Sequence, residues 1–363
     1  MARPPKSVRK SAAQKLWDEA VRQQIYLEKL KSLEVSKSAK MVDAVYEEVA
    51  KLLMSPDFGA LSDLKRAELQ ALQRDVQKTI LSIHGNYFKE LNESFSQVAE
   101  FAAVRESDVI TGFAQQVAIK GKIYAPNATT AWKAVKNTPI QATGELLEGF
   151  IDNYSKAAVK RVNGAIATGW AQGRTIGELV KDLRGTKANK FKDGLVKNID
   201  KRQAEAVVRT SMQHVANSAR MKTWEDNPSV VKGYIWVSTL DGVTSDTCKS
   251  LDGQKFKMGR GPMPPIHINC RSTTIPDLGS QFDFLDVGAT RSSATGLITS
   301  KTTYYEWLKT QPKPFVEDAI GVGKAEIFLS GKIDAKEFAR LNLGRNFTPI
   351  SLKDLKEKLQ KQN

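Results

Sequence analysis

The sequence predicts an α+β protein that is mainly helical: an N-terminal helical bundle, a compact α+β domain with a short sheet and a loop-rich Cys/His lobe, and a small helical tail. Three observations predict it. Through most of the first 225 residues, apolar side chains recur at steps of three and four, the period of an amphipathic helix. After Asn227-Pro228 the run Gly233 to Ser238 turns rich in β-branched and aromatic residues, as strands are. The stretch beyond it is crowded with Gly242, Gly253, Gly259, Gly261, Pro262, Pro264 and Pro265, which punctuate tight turns.

Residues 1–12 carry Arg3, Lys6, Arg9 and Lys10 with two prolines and no acid, so they read as a solvated mobile arm; a DNA- or partner-binding arm is the alternative. Residues 13–118 read as an N-terminal helical region. Leu69, Leu72, Val76, Ile80, Ile83, Tyr87 and Leu91 fall on one face, as do Val42, Val45, Val49 and Leu52 upstream, and Pro56 with Gly59 interrupts between them. A helical hairpin or bundle follows, with these stripes as core. The mixed stretch from Lys120 to Pro139 reads as a loop or domain junction.

A second domain is expected over 140–280. Leu147, Ile151, Tyr154, Ala158, Val162 and Ile166 continue the helical period, and Gly173 ends that helix. Thr175 with Glu178 three residues later forms a capping box, in which hydroxyl and carboxylate each satisfy a free backbone N–H. A further helix over roughly 200–225 carries Val208, Met212, Val215 and Ala219. Residues 281–363 read as a weakly patterned linker and a helical tail around Tyr304–Leu308, Glu317–Leu329 and Leu352–Leu359.

Charge and cysteine content narrow the function. Lys plus Arg is 55 against 40 for Asp plus Glu, a net +15 that favours a polyanionic neighbour, nucleic acid before membrane. Residues 156–209 hold thirteen basic and five acidic side chains; within them Lys187, Lys190, Lys192, Lys197, Lys201 and Arg202 are the candidate contacts to double-stranded DNA, bound without sequence preference, against the plainer reading of a solvated face. Two cysteines exclude a disulfide scaffold. No apolar run is long enough to span a bilayer, and the N-terminus lacks the apolar stretch of a secretory signal, so the expectation is a soluble product of a host cytoplasm with no membrane partner.

Both cysteines and one of the three histidines fall close together, as Cys248 and then His267-Ile-Asn-Cys270 after the Pro264-Pro265 pair. Thiolates and imidazole suit zinc, and Cys248, His267 and Cys270 would supply three ligands, with Asp246, Asp241, Asp252 or water as the fourth. Two buried thiols, a Cys248–Cys270 bridge, or a cysteine nucleophile with His267 as base are the alternatives. His84, on an apolar helix face, and His214 read as structural. The phosphate loop, the dinucleotide glycine fingerprint, the Gly-x-Ser-x-Gly elbow and the His-Glu-x-x-His helix are all missing, so the chain is expected not to be an enzyme.

The run from Gly233 through Asp241, Asp246, Cys248, Asp252 and Gly253, followed by Pro264, Pro265, His267, Cys270 and Arg271, resembles the signature of the phage Mu F-like head morphogenesis family. Gly169 to Arg174, the Arg209-Thr210 pair, Tyr304 to Leu308 and Gly323 to Phe328 extend the likeness over about 145–360. Where many members have Cys-x-x-Cys this chain has Ser245 in the first position, and where many have Glu after the Arg-Thr pair it has Ser211. The resemblance implies a minor capsid protein of a tailed bacteriophage, present in several copies in the capsid interior or at the portal vertex. Its implied partners are the portal, other head proteins and packaged DNA, during assembly, packaging or ejection. The competing function is a metal-dependent nuclease or thiol hydrolase working through Cys248, His267 and Cys270.

Overall fold

The computed structural model describes residues 12–55, 60–116, 122–279 and 288–361. The arm at 1–11, the Pro56/Gly59 break and part of the expected linker therefore lie outside the described residues. Two long helices come first, α1 (Ala12–Met54) and α2 (Arg66–Gln116), 43 and 51 residues long. They run antiparallel, since Glu19 near the start of α1 pairs with Arg105 near the end of α2. Then come α3 (Ala128–Asn137), α4 (Leu147–Ala171), α5 (Ile176–Arg184) and α6 (Leu195–Glu225).

The apolar stripes do what their period predicts. Val42, Val45, Val49, Leu69, Val76, Ile80, Tyr87 and Leu91 are buried, and they join Ile151, Val162, Ile166, Val208, Met212 and Val215 in one core. Helices before residue 118 and after residue 140 thus cover one another's apolar faces. Polar side chains pin them together as well: Tyr46 of α1 donates to Asp200 of α6 at 2.5 Å, and Arg161 of α4 pairs with the same carboxylate. His84 is buried, bonded to Ser155 at 3.0 Å and stacked on Tyr154; His214 contacts the Val135 carbonyl at 3.3 Å. Burial pushes both imidazoles down to about 4.

The segment read as a loop or domain junction contains a helix. Asn127 caps α3, its side chain accepting from Thr130 N at 2.8 Å, and Ala131 and Val135 bury themselves in the first core. The capped helix was hidden because Pro126 and Pro139 flank it and only two of its residues are fully buried.

The second half is built on β1 (Gly233–Val237), α7 (Asp246–Leu251), β2 (Lys255–Lys257) and β3 (Thr273–Asp277). Strand β1 lies between β2 and β3 with both pairings antiparallel; Ile235 faces Lys255 on one side and Ile275 on the other. The expected linker holds a hairpin, β4 (Thr290–Ser293) with β5 (Gly296–Thr299). Helices α8 (Tyr304–Leu308), α9 (Lys313–Ile320), α10 (Val322–Leu329), α11 (Ala335–Leu341) and α12 (Leu352–Gln360) close the chain round a separate core of Tyr304, Tyr305, Trp307, Phe328 and Phe338.

Helix α1 reaches this half too. Trp17 and Ala20 pack on Ile275 and Ala289, and the Gln14 side chain both accepts from Thr290 N at 2.7 Å and donates to Thr290 O at 3.2 Å. A helix of 43 residues, about 65 Å at 1.5 Å per residue, is long enough to serve both halves as a strut.

Candidate metal centre

Helix α7 begins at Ser245, whose hydroxyl accepts from Cys248 N at 3.3 Å and so caps the helix. That turn aims Cys248 inward. The second sulfur arrives on the turn His267–Cys270, closed by Cys270 N donating to the His267 carbonyl at 3.2 Å. Asn269 takes a left-handed conformation there (φ 60°), one that asparagine tolerates better than most residues. The hydroxyl of buried Thr210 on α6 accepts from Asn269 N at 3.1 Å, so the Arg209-Thr210 motif sets this turn from across the molecule.

The ligand atoms of Cys248, His267 and Cys270 all lie within 4.8 Å of one another, and both sulfurs are buried. Their separation is 3.8 Å, far beyond the roughly 2.05 Å of a disulfide. Two thiolates about 2.3 Å from a tetrahedral cation would stand about 3.8 Å apart, so the sulfur–sulfur spacing fits zinc. His267 Nε2 is 3.2 Å from Cys248 Sγ, and Nδ1 is 2.9 Å from the Ile268 carbonyl. A carbonyl only accepts, so Nδ1 carries a proton, and Nε2 is the nitrogen that faces the sulfurs and would ligate a metal. The Cys270 thiol is drawn well below its ordinary value, chiefly by the hydrogen bond from Cys248 and further by His267, against the opposing effect of burial. Cys248 is pushed up by the same hydrogen bond, and His267 is raised by its contact with Cys270.

Asp246, expected as a ligand, is not part of this group. Its carboxylate meets Lys249 at 3.0 Å and Lys324 at 3.6 Å. The fourth position is approached by Ser245, whose hydroxyl is 2.8 Å from His267 Nε2. Asp241 and Asp252 are engaged elsewhere. Arg271 grips Asp241 with two hydrogen bonds of 2.8 and 3.0 Å. Asp252 is buried, pairs with Arg291 at 2.9 Å and accepts from Ser238 N at 2.7 Å. Gly253 has φ +78° and donates its N–H to the Trp236 carbonyl at 2.9 Å, while Pro264–Pro265, joined by a cis bond, leads into the histidine turn. Sequence reading noted Ser245 only as the departure from Cys-x-x-Cys, and placed neither it nor the Ile268 carbonyl in the centre. The serine's cap position before α7 was a usable signal; a backbone carbonyl leaves none.

The six basic residues divide. Lys187, Lys190, Lys192 and Arg202 are exposed. Lys197 is buried and Lys201 half-buried, and both pair with Asp43 of α1, at 3.3 and 2.7 Å.

These features define an α+β protein in which long helices carry a small lobe with two thiols and an imidazole at its centre. Residues 160–275, from the middle of α4 to β3, match the model of the family described as Phage Mu protein F like protein, and this match suggests a phage head morphogenesis protein. No curated protein and no solved structure matches the chain. Among the described residues no helix is long and apolar enough to cross a membrane.

Proposed function

We propose that this chain is a non-enzymatic minor head protein, carried in the virion at the portal vertex or the inner capsid surface, where it meets the portal and packaged double-stranded DNA. In this reading Cys248, His267 and Cys270 hold one zinc ion that fastens α7 to the His267–Cys270 turn, with Ser245 or water completing the tetrahedron. The observation that carries it is the burial of both sulfurs, each 1% exposed, inside a region that matches a phage head family. A hydrolytic metal or a thiol nucleophile needs an open position and access for substrate; two buried sulfurs beside an oriented imidazole supply a brace.

Elemental analysis of protein purified without chelator tests the brace. One zinc per chain is expected, retained more tightly in Ser245→Cys and lost in Cys270→Ala together with a drop in melting temperature. Co-expression with the portal protein of the same phage should yield a complex that survives purification. Metal-dependent cleavage of duplex DNA or thiol-dependent hydrolysis, abolished by Cys270→Ala at an unchanged melting temperature, would overturn the reading in favour of an enzyme.

A further inference from the structure

Between α5 and α6 the chain forms a loop, 185–194, whose two ends touch. Gly185 has φ +90°, and a Cβ on it would fall 2.5 Å from Asp193 Oδ1 and 2.6 Å from Gly194 N, so only glycine fits this neck. Just inside it, the Asp193 carboxylate accepts from Thr186 N at 2.7 Å, Thr186 Oγ1 at 2.7 Å and Asn189 Nδ2 at 2.9 Å. The backbone turns through two consecutive left-handed residues, Lys190 (φ 50°) and Phe191 (φ 58°), a conformation unfavourable for residues with a Cβ. It is held by Phe191 N donating to the Thr186 carbonyl at 2.8 Å and by the Phe191 ring, which lies 4.5 Å from the Arg184 guanidinium and 5.8 Å from Lys197 Nζ.

The result is a short loop of fixed shape with a sharp division of charge. At its base the cations are neutralised: Arg184 pairs with Glu47 at 2.7 Å, and Lys197 and Lys201 share Asp43. On its outer surface Lys187, Lys190 and Lys192 are exposed and make no ion pair among the described residues. The loop's one acid, Asp193, is committed to Thr186 and Asn189.

We propose that the loop 185–194 is a preformed contact for the phosphodiester backbone of double-stranded DNA, made by Lys187, Lys190 and Lys192, with Phe191 as the residue that positions it. The proposal rests on the reading of packaged DNA as a partner and assigns that role to one element. Lysines favour phosphate over a protein partner, because protein interfaces are depleted in lysine, whereas phosphate contacts need only positioned positive charge. A loop already held in one shape has less ordering to lose on binding.

Fluorescence anisotropy of the full chain with a short labelled duplex of arbitrary sequence, over a series of salt concentrations, tests this. The wild type should bind with an affinity that falls steeply with salt. Replacing Lys187, Lys190 and Lys192 together by Gln should weaken binding at least about tenfold and flatten the log–log salt slope by about 0.9 for each phosphate that is no longer neutralised. A control with the exposed Lys332, Lys336 and Lys356 changed to Gln, equal in charge, should keep the wild-type slope. Phe191→Ala should weaken binding about fivefold with all three lysines present, and Phe191→Trp should restore it. If the wild type shows no salt-dependent binding, the DNA reading and this proposal fail together. If it binds and the triple variant keeps its affinity and slope, the loop assignment alone is overturned. A triple variant that binds DNA like the wild type but no longer associates with the portal would mean that the loop meets protein instead.

Discussion

At the centre of the helical region stand Val49, Leu53, Leu61, Val76 and Phe95, all fully buried. At the centre of the lobe stand Asp252 against Arg291, Trp236 bonded through its indole N–H to Ser238 at 2.9 Å, and two sulfurs beside an imidazole. The first arrangement is non-directional: helices that present an apolar stripe associate because burying it releases water, and many side chains share the effect. The second is directional, because each buried polar group needs one particular partner at one distance and is costly without it. Arg291 illustrates the difference. It comes from a segment with weak pattern, yet its guanidinium satisfies both Asp252 oxygens and the Ser238 carbonyl inside the lobe. The helical region should therefore tolerate single changes by degrees, and the lobe should fail at single residues.

The largest test of that contrast is Asp252→Ala. It leaves the Arg291 guanidinium buried without its carboxylate and should cost about 3–5 kcal/mol, read as a lower denaturant midpoint. A cost under about 1 kcal/mol would show the lobe to be as forgiving as the helices.

A smaller effect sharpens the comparison from the helical side. His84 and His214 sit near 4 when folded against an ordinary 6.5, so the unfolded chain takes up protons first as pH falls. Their contribution is complete above 6.5 and is lost as the pH drops toward 4, by about 2 kcal/mol for each histidine at pH 5. Urea midpoints at pH 7.5 and 5 should show it, and His84→Leu should remove about half of the difference. An equal pH dependence in that variant would mean that His84 is not the group responsible.

The smallest expected change is local. Thr175→Ala removes the hydroxyl that accepts from Glu178 N at 3.2 Å and should cost about 1 kcal/mol. Thermal melts would register a shift of a few degrees with the lobe's metal content unchanged.

The sequence made some of this legible and hid the rest for physical reasons. The stripes from Leu69 to Leu91 and from Leu147 to Ile166 became core because their spacing is a property of neighbouring residues. The Thr175 box, strand β1 and the Cys/His cluster were legible on the same ground, each contained in a few consecutive positions or one short span. Helix α3 escaped because two prolines framed it as a junction, although Asn127 was there to start it. The β4–β5 hairpin escaped because its strands are four residues each and only Arg291 among them is buried. Asp246 read as a ligand because it precedes Cys248 by two positions, but on α7 its carboxylate turns to Lys249 and Lys324 while Ser245 turns to His267.

By itself the amino-acid order determined the long helices and strand β1, which faces are apolar, and that two thiols and an imidazole would share one small lobe. Those properties follow from periodicity and capping, which act over a turn or two of chain. Only the tertiary structure decided which charges are free. Lys197 and Lys201 look like Lys187 and Lys190 in the sequence, yet Asp43, on a helix 158 positions away from Lys201, neutralises the first pair and leaves the second to solvent. Coulomb attraction depends on separation in space, and folding sets that separation.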